Sequence, residues 1–168
     1  MPHRQTYPGR PQLPVGWRRF LARLPVLVFR CGLGWVFGGR LLLLHHTGRV
    51  SGLHRRVVLE VVEYEPAGRS WIVASGFGPR AAWYRNLRAE PKTLIEVGNR
   101  RHAVTAHVLP PDEGAEIMAR YARNRPRTAR RLCTFMGFPS DGTDAQFRDA
   151  GRAIPFVRLD SAPGAGLP

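Results

Sequence analysis

The segment of residues 41–62, LLLLHHTGRVSGLHRRVVLEVV, is the part of the chain that most restricts its fold. Two apolar runs flank a short polar turn that contains Gly48 and Gly52. Glycine lets the backbone reverse sharply and approach a ligand closely. The segment therefore predicts a β-hairpin whose turn offers backbone N–H groups to a bound molecule.

The polar side chains of this turn predict a binding site for an anion. Two hydroxyl residues and three arginines crowd it: Thr47, Ser51, Arg49, Arg55 and Arg56. Guanidinium groups bind phosphate or carboxylate through paired hydrogen bonds. The chain carries 26 Lys and Arg against 12 Asp and Glu, a formal charge of +14, so an anionic partner is expected. The alternative is a solvated turn that is rich in arginine only because the whole chain is.

Short apolar runs along the rest of the chain predict a sheet of antiparallel strands. The predicted strands are 41–46, 55–64, 70–75, 93–97, 102–109 and 154–159. Their short connections, such as the turn at residues 98–99, favour antiparallel pairing. Helical spacing predicts helices at 15–29, 81–89, 111–123 and 126–136, with a last short helix before the final strand. These elements indicate a mainly β fold with peripheral helices (α+β), closed as a small barrel.

The domain organisation predicted from these patterns has three parts. Residues 1–38 form a basic arm and an amphipathic helix, residues 39–160 form the barrel, and residues 161–168 form a flexible tail. Arginines interrupt the apolar stretch near the N-terminus, so no run approaches the roughly 18 residues that a membrane span requires. We expect a cytoplasmic protein whose N-terminal segment can lie on the anionic inner face of the plasma membrane.

A second informative segment covers residues 73–91, VASGFGPRAAWYRNLRAEP. A strand leads into a glycine-rich loop and then into a helix, an arrangement that favours anion binding at the helix start. Trp83 and Tyr84 could form a wall for a planar ring, or could belong to the core. Asn86 lies between apolar neighbours, which predicts either a buried hydrogen bond or a ligand contact.

Other kinds of chemistry find little support in the sequence. Cys31 and Cys133 are far apart and form no disulfide framework or metal motif. His45 and His46 are adjacent in a predicted strand, so they should point to opposite faces, and we expect no metal site. The basic stretch 120–131 raises nucleic-acid binding as an alternative, but no recognition motif accompanies it.

Three segments, taken together, resemble the deazaflavin-dependent nitroreductase and quinone reductase family. They are the hairpin LLLLHHTGRVSGLHRR, the pair VASGFG and AAWYRNLRAEP, and the closing strand IPFVRL. The resemblance covers about residues 40–160. It implies a split β-barrel like that of FMN-binding proteins. It also implies a hydride donor, coenzyme F-420, which carries a phosphate and a polyglutamate tail, with FMN as the alternative cofactor.

The resemblance assigns site residues position by position. The implied cofactor-binding residues are Arg49, Ser51, Arg55, Arg56, Ser75, Gly76, Phe77, Trp83, Asn86 and Arg88, and Ser75 and Tyr84 are the catalytic candidates. The acceptor would be a quinone or a nitroaromatic compound, with the apolar stretch 132–138 as part of its pocket. The rival readings are a non-catalytic lipid-, haem- or flavin-binding protein at the membrane surface and a basic nucleic-acid-binding module.

This sequence departs from the family pattern at several positions. Val50 stands where the family often has lysine, His54 where it often has proline, and Glu60 where some members have an aromatic residue. Gly76 and Phe77 occupy the loop where a lysine is usual. These changes remove cationic contacts, which Arg56 and Arg80 could replace.

Overall fold

The barrel closes at its first strand, which pairs with strands on both sides. The computed structural model describes residues 38–139 and 141–166. Leu42 lies opposite Leu59 on one neighbour and opposite Val97 on the other. The six strands are antiparallel in the order β1-β2-β3-β6-β5-β4, with bounds β1 Leu41–Thr47, β2 His54–Glu65, β3 Ser70–Ala74, β4 Lys92–Val97, β5 Arg100–Val108 and β6 Phe156–Gly166. The predicted mainly β barrel with peripheral helices is confirmed.

Alternation along the strands fills the barrel with apolar side chains. On β1 the inward positions are Leu42, Leu44 and His46, all buried. The interior also receives aliphatic side chains from β3, β4, β5 and β6 and aromatic side chains from the helix that follows β3. The barrel core is therefore apolar except at the hairpin end of β1, where a histidine takes the place of a leucine.

Four α-helices complete the described fold. They are α1 Ala82–Ala89, α2 Pro111–Asn124, α3 Pro126–Phe135 and α4 Asp144–Ala153. Helices α2, α3 and α4 share a second core, in which Ile117, Met118 and Phe156 are buried. Helix α1 instead packs on the barrel end. No helix among residues 38–139 and 141–166 has the length and apolar character needed to cross a bilayer.

The closing strand is longer than its side-chain pattern predicts. It continues to Gly166, which lies opposite His102, and Ser161 lies opposite Val104. Residues 161–166 thus belong to the sheet, where the sequence indicated a flexible tail. The extension depends on backbone hydrogen bonds to the start of β5, which a chain poor in β-formers can still make. The predicted N-terminal arm and helix of residues 1–37 lie outside the described residues.

The topology gathers the segments of interest at one end of the barrel. Strands β1 and β3 both run toward this end, so the β1–β2 turn and the loop after Ala74 lie at the same end of the barrel. Helix α1 follows that loop and leads into β4. We call it the hairpin end. The β2–β3 and β4–β5 turns lie at the opposite end.

Candidate functional site

Backbone hydrogen bonds hold the β1–β2 turn in one shape. The Gly48 N–H donates to the Leu53 carbonyl at 2.8 Å, and the Gly52 N–H donates to the Gly48 carbonyl at 2.7 Å. Gly52 has φ +66°, a conformation that favours glycine. A Cβ at Gly48 would lie 2.5 Å from the Ser51 hydroxyl oxygen, so a larger residue there would displace this hydroxyl from its contact with the Leu53 N–H.

Three exposed arginines border this turn without carboxylate partners. Within the described part of the chain, no acidic side chain lies within ion-pair distance of Arg49, Arg55 or Arg56. Arg55 is opposite His46 on the inward, α1-facing side, and Arg56 is opposite His45 on the outer side. Successive strand residues point to opposite faces, so Arg55 and Arg56 start from opposite faces. Arg49 lies in the turn, and its contact with Asn86 places it on the α1-facing side with Arg55.

Acidic residues are concentrated on the helical side of the molecule instead. There they pair with arginines of α2, α4 and β6: Arg120 with Glu63, Arg148 with Glu116 and Asp144, Arg152 with Asp112 and Asp149, and Arg158 with Asp160. The positive charge of the hairpin end is thus left uncompensated, as an anion-binding surface requires.

A buried asparagine connects α1 to the hairpin turn. The Asn86 side chain is 3% exposed. Its Oδ1 accepts from the backbone N–H of Arg49 at 3.1 Å and from the Arg49 guanidinium at 3.3 Å. Its Nδ2 lies 2.8 Å from Nδ1 of His46. Of the two roles expected for Asn86, the structure shows the buried hydrogen bond, and this bond ties Arg49 to α1.

The chemistry of these contacts defines the protonation state of His46. Because the Asn86 oxygen faces an N–H donor, its amide NH2 faces His46 and must find an acceptor. His46 Nδ1 is therefore unprotonated. Burial, followed by the charges of Arg55, His54 and His45, lowers the pKa of His46 from 6.5 to about 4. Sequence reasoning assigned His46 no role, although a polar residue at an inward position after Leu42 and Leu44 was the available signal.

Ser75 lies in the loop after β3 and is completely buried. Its hydroxyl donates to the Gly78 carbonyl at 2.7 Å, and its N–H donates to the Pro155 carbonyl at 2.8 Å. Gly78 has φ +69° and begins the short 3-10 turn Gly78–Arg80. The hydroxyl proton of Ser75 is thus used to shape the loop that carries Gly76 and Phe77.

The aromatic residues of α1 lie mainly in the barrel core. Trp83 and Tyr84 are each 6% exposed, and their rings meet edge to face at 6.0 Å. The Arg88 guanidinium lies 6.0 Å from the Tyr84 ring centroid, with its side chain exposed. Tyr84 is therefore enclosed by core neighbours, whereas Arg88 is free to meet a ligand at the surface.

An aromatic pair stands beside the Ser75 loop. Phe77 and Phe135 meet edge to face at 5.9 Å, and Phe135, the last residue of α3, is 52% exposed. Leu132 and Phe138 are partly buried against the core of the helices. The predicted apolar stretch 132–138 therefore reaches the hairpin end through Phe135, where it offers apolar surface.

The two adjacent histidines of β1 point to opposite faces. On the outer face, His45 Nε2 lies 2.8 Å from Glu96 Oε1, and His45 Nδ1 lies 2.9 Å from His54 Nε2. His46 points inward to Asn86. Across residues 38–139 and 141–166, no cluster of His, Cys, Asp and Glu could hold a metal ion.

An open cavity of about 390 Å³ lies elsewhere, at the corner between α2 and α3. Its lining charges are compensated, because Arg120 pairs with Glu63 at 3.1 Å and the Tyr121 hydroxyl donates to Glu60 at 2.9 Å. Burial raises the pKa of Tyr121, which keeps its hydroxyl protonated. This cavity is separate from the hairpin end and its basic turn.

Comparison with known proteins identifies the family of this chain. The family model described as F420H(2)-dependent quinone reductase matches residues 27–135. The chain belongs to this family. A Mycobacterium tuberculosis protein, named as a candidate F420H(2)-dependent quinone reductase, is 34% identical over 93 residues, covering 54% of this chain and 76% of that protein. The predicted oxidoreductase activity and coenzyme F-420 as the cofactor are confirmed at the level of the family, and the rival non-catalytic readings are not favoured.

Solved structures support the fold. A protein of unknown function from Agrobacterium tumefaciens has a TM-score of 0.54 and 15% identity, covering 91% of this chain and 59% of that one. A pyridoxamine 5'-phosphate oxidase-related, FMN-binding protein from Nostoc punctiforme has a TM-score of 0.51 and 15% identity, covering 88% and 81%. The predicted split barrel of the FMN-binding type is therefore confirmed.

The residues at the hairpin end suit the cofactor of the quinone reductase family. Coenzyme F-420 is anionic, and Arg49 and Arg55 offer guanidinium groups that no described carboxylate neutralises. The apolar surface of Phe77 and Phe135 lies near the same barrel end, as a ring system requires. Charge and shape thus fit one elongated ligand with an apolar head and an anionic tail.

The depressed pKa of His46 predicts a loss of stability on acidification. As the pH falls from about 6.5 to about 4, the unfolded chain binds a proton at His46 that the native chain does not. The free energy of unfolding should therefore decrease over this range by up to ~3 kcal/mol from His46. Burial lowers the pKa of His45 and of His102 too, which adds to the decrease. Urea unfolding measured from pH 4 to pH 8 tests this.

His46→Asn is the matched variant for that measurement, because it keeps an acceptor near the same place but does not titrate. The decrease between pH 6.5 and pH 4 should be smaller in the variant than in the wild type. Equal pH dependence in the two proteins would contradict the depressed pKa of His46.

Proposed function

We propose that the hairpin end is the active site at which this oxidoreductase reduces a quinone with reduced coenzyme F-420. The observation that carries the proposal is the basic turn, whose Arg49 is held by Asn86 while Arg55 stays exposed and without a described acidic partner. The coenzyme supplies a hydride, and the protein supplies the site that holds and orients both reactants.

The anionic part of the cofactor fits the turn and the exposed face of α1. Arg49 and Arg55 share one side of the hairpin. The Gly48 and Gly52 N–H groups donate within the turn, contrary to the sequence-based prediction that they face a ligand, so the turn offers the hydroxyl proton of Ser51, whose oxygen accepts from the Leu53 N–H. Arg88, one helical turn from the Tyr84 ring on which it lies, is exposed and can reach a longer tail. Arg56 starts from the outer face, so we assign it to the distal tail rather than to the phosphate.

The ring of the cofactor fits beside the loop that Ser75 shapes. Gly76 faces the same surface as Phe135, because a Cβ at Gly76 would lie 4.0 Å from the Phe135 ring, an ordinary contact distance. Phe77 and Phe135 form one apolar wall. Trp83 supports the loop from the barrel core, where it is 6% exposed. A flat acceptor can stack in the same apolar region, which excludes water from the reacting faces.

The reaction also needs a proton, because a quinone becomes a quinol by gaining a hydride and a proton. Ser75 already donates its hydroxyl proton to the Gly78 carbonyl, and Tyr84 is enclosed in the core. We therefore propose that this one proton comes from solvent after hydride transfer, with Ser75 and Tyr84 shaping the site. A nitroaromatic compound, which has the same flat shape, is the second acceptor class that we propose.

Arg55→Ala should weaken the binding of coenzyme F-420. Loss of a charge-assisted hydrogen bond to phosphate costs about 1.5–3 kcal/mol, which corresponds to a dissociation constant raised roughly 10- to 150-fold. Quenching of deazaflavin fluorescence on titration measures this constant, and FMN serves as the competing ligand. Arg100→Ala, an exposed arginine at the opposite barrel end, is the control and should bind as the wild type. An unchanged constant for Arg55→Ala would place Arg55 outside the site.

Ser75→Ala should separate a role in loop structure from a role in catalysis. Loss of the buried bond to the Gly78 carbonyl should lower stability by about 1–3 kcal/mol. If the hydroxyl only shapes the loop, menadione turnover per folded enzyme should stay within a few-fold of the wild type. A fall of a hundredfold, with unchanged cofactor affinity, would instead make Ser75 a donor to the reacting acceptor.

We also propose that residues 1–38 bind anionic membrane surfaces, because the sequence there alternates arginine with apolar residues. Removal of these residues should abolish co-sedimentation with vesicles that contain anionic lipid, while the barrel keeps its thermal transition. Full-length protein that stays in the supernatant at low salt would contradict this proposal.

A further inference from the structure

His46 is a buried polar side chain that is not among the proposed cofactor-binding residues. It is 6% exposed and lies at the last inward position of β1 before the turn. Its one hydrogen bond in the described part of the chain goes to Asn86, at 2.8 Å. The other inward positions of β1 hold Leu42 and Leu44. An imidazole at the third position is therefore explained by its specific hydrogen bond and not by general packing.

The Asn86 amide can face only one way while this contact exists. Its oxygen receives the Arg49 backbone N–H, which is always a donor, so its NH2 must point to His46. If the amide rotated by half a turn, its NH2 would meet the Arg49 N–H and its oxygen would meet an acceptor nitrogen, and both contacts would be lost. An acceptor at His46 therefore determines which atom Asn86 presents to Arg49.

Arg49 depends on that orientation twice. The same Asn86 oxygen accepts from its backbone N–H at 3.1 Å and from its guanidinium at 3.3 Å. Among the hydrogen bonds of the described residues, these two join the turn to α1. Without them the turn would keep its own internal bonds but lose its fixed distance from the helix.

We infer that His46 is a positioning residue for the basic turn: through Asn86 it holds Arg49 in the place where an anion binds. The inference rests on the proposed function for the role of Arg49 toward coenzyme F-420. The hydrogen-bond relay itself is a property of the free protein. In this proposal His46 does not contact the cofactor. It holds Arg49 in place before binding, so that less conformational entropy is lost when the cofactor binds.

The first test uses the free protein. The Arg49 amide should be protected from hydrogen exchange in the wild type and should exchange at least tenfold faster in His46→Leu, which removes the acceptor at similar volume. His46→Asn, which restores an acceptor, should recover most of the protection. Leu44→Ala, a neighbouring inward position with no link to Asn86, is the control for general loosening of β1. Equal Arg49 protection in the wild type and His46→Leu would overturn the inference.

The second test is a double-mutant cycle on cofactor affinity. His46→Leu should raise the dissociation constant of coenzyme F-420 about tenfold, equivalent to ~1.4 kcal/mol. The same change made in an Asn86→Ala background should have less than a twofold effect, because the relay is already broken. Additive effects would assign His46 a structural role only. A wild-type protein that binds no coenzyme F-420 would overturn the proposed function, while the exchange test would still report on the relay.

Discussion

The side chain of Asn86 is the contact on which the rest of the site depends. It lies where three elements meet, because it belongs to α1, accepts from the β1–β2 turn and donates to β1. The side chains of Asn86 and His46 are removed from water, and a buried group left without its partner costs ~1–3 kcal/mol. The relative positions of helix, strand and turn are therefore specified by a carboxamide whose hydrogen-bonding groups match only one arrangement.

Electrostatics explain why this arrangement has a function beyond stability. Surface ion pairs contribute little to folding, so a protein can leave arginines unpaired at small cost. Here the distribution is uneven: α4 pairs Arg148 and Arg152 with acidic partners, whereas Arg55 and Arg88 have none among the described residues. Positive charge left on one rigid surface attracts anions over several ångströms and is available for paired hydrogen bonds once they arrive.

Local sequence patterns were enough to predict most of the fold. Alternating apolar residues around a glycine turn specify a hairpin from local sequence alone. Pro111 and Pro126 mark helix starts, and the structure begins a helix at each of them. The end of β6 could not be predicted, because residues 161–166 pair through backbone atoms whose partners lie far away in sequence. The same limit applies to the site. The residue type at Asn86 indicated a buried hydrogen bond, but its partners His46 and Arg49 are fixed by tertiary packing.

The division of the candidate site into a buried part and an exposed part suits the ligand proposed for it. An apolar ring gains from surfaces already free of water, and Phe77 lies against the barrel core for that reason. A flexible anionic tail gains more from long, solvated side chains that can adapt, which the exposed arginines provide. Arg49 lies at the boundary between these parts. Its backbone N–H and its guanidinium both donate to the buried Asn86 amide, while the residue as a whole is exposed to solvent. In the proposed mode of binding, a fixed contact at this boundary would limit how far the tail can move the ring, so that the core and not the tail would orient the reacting ring.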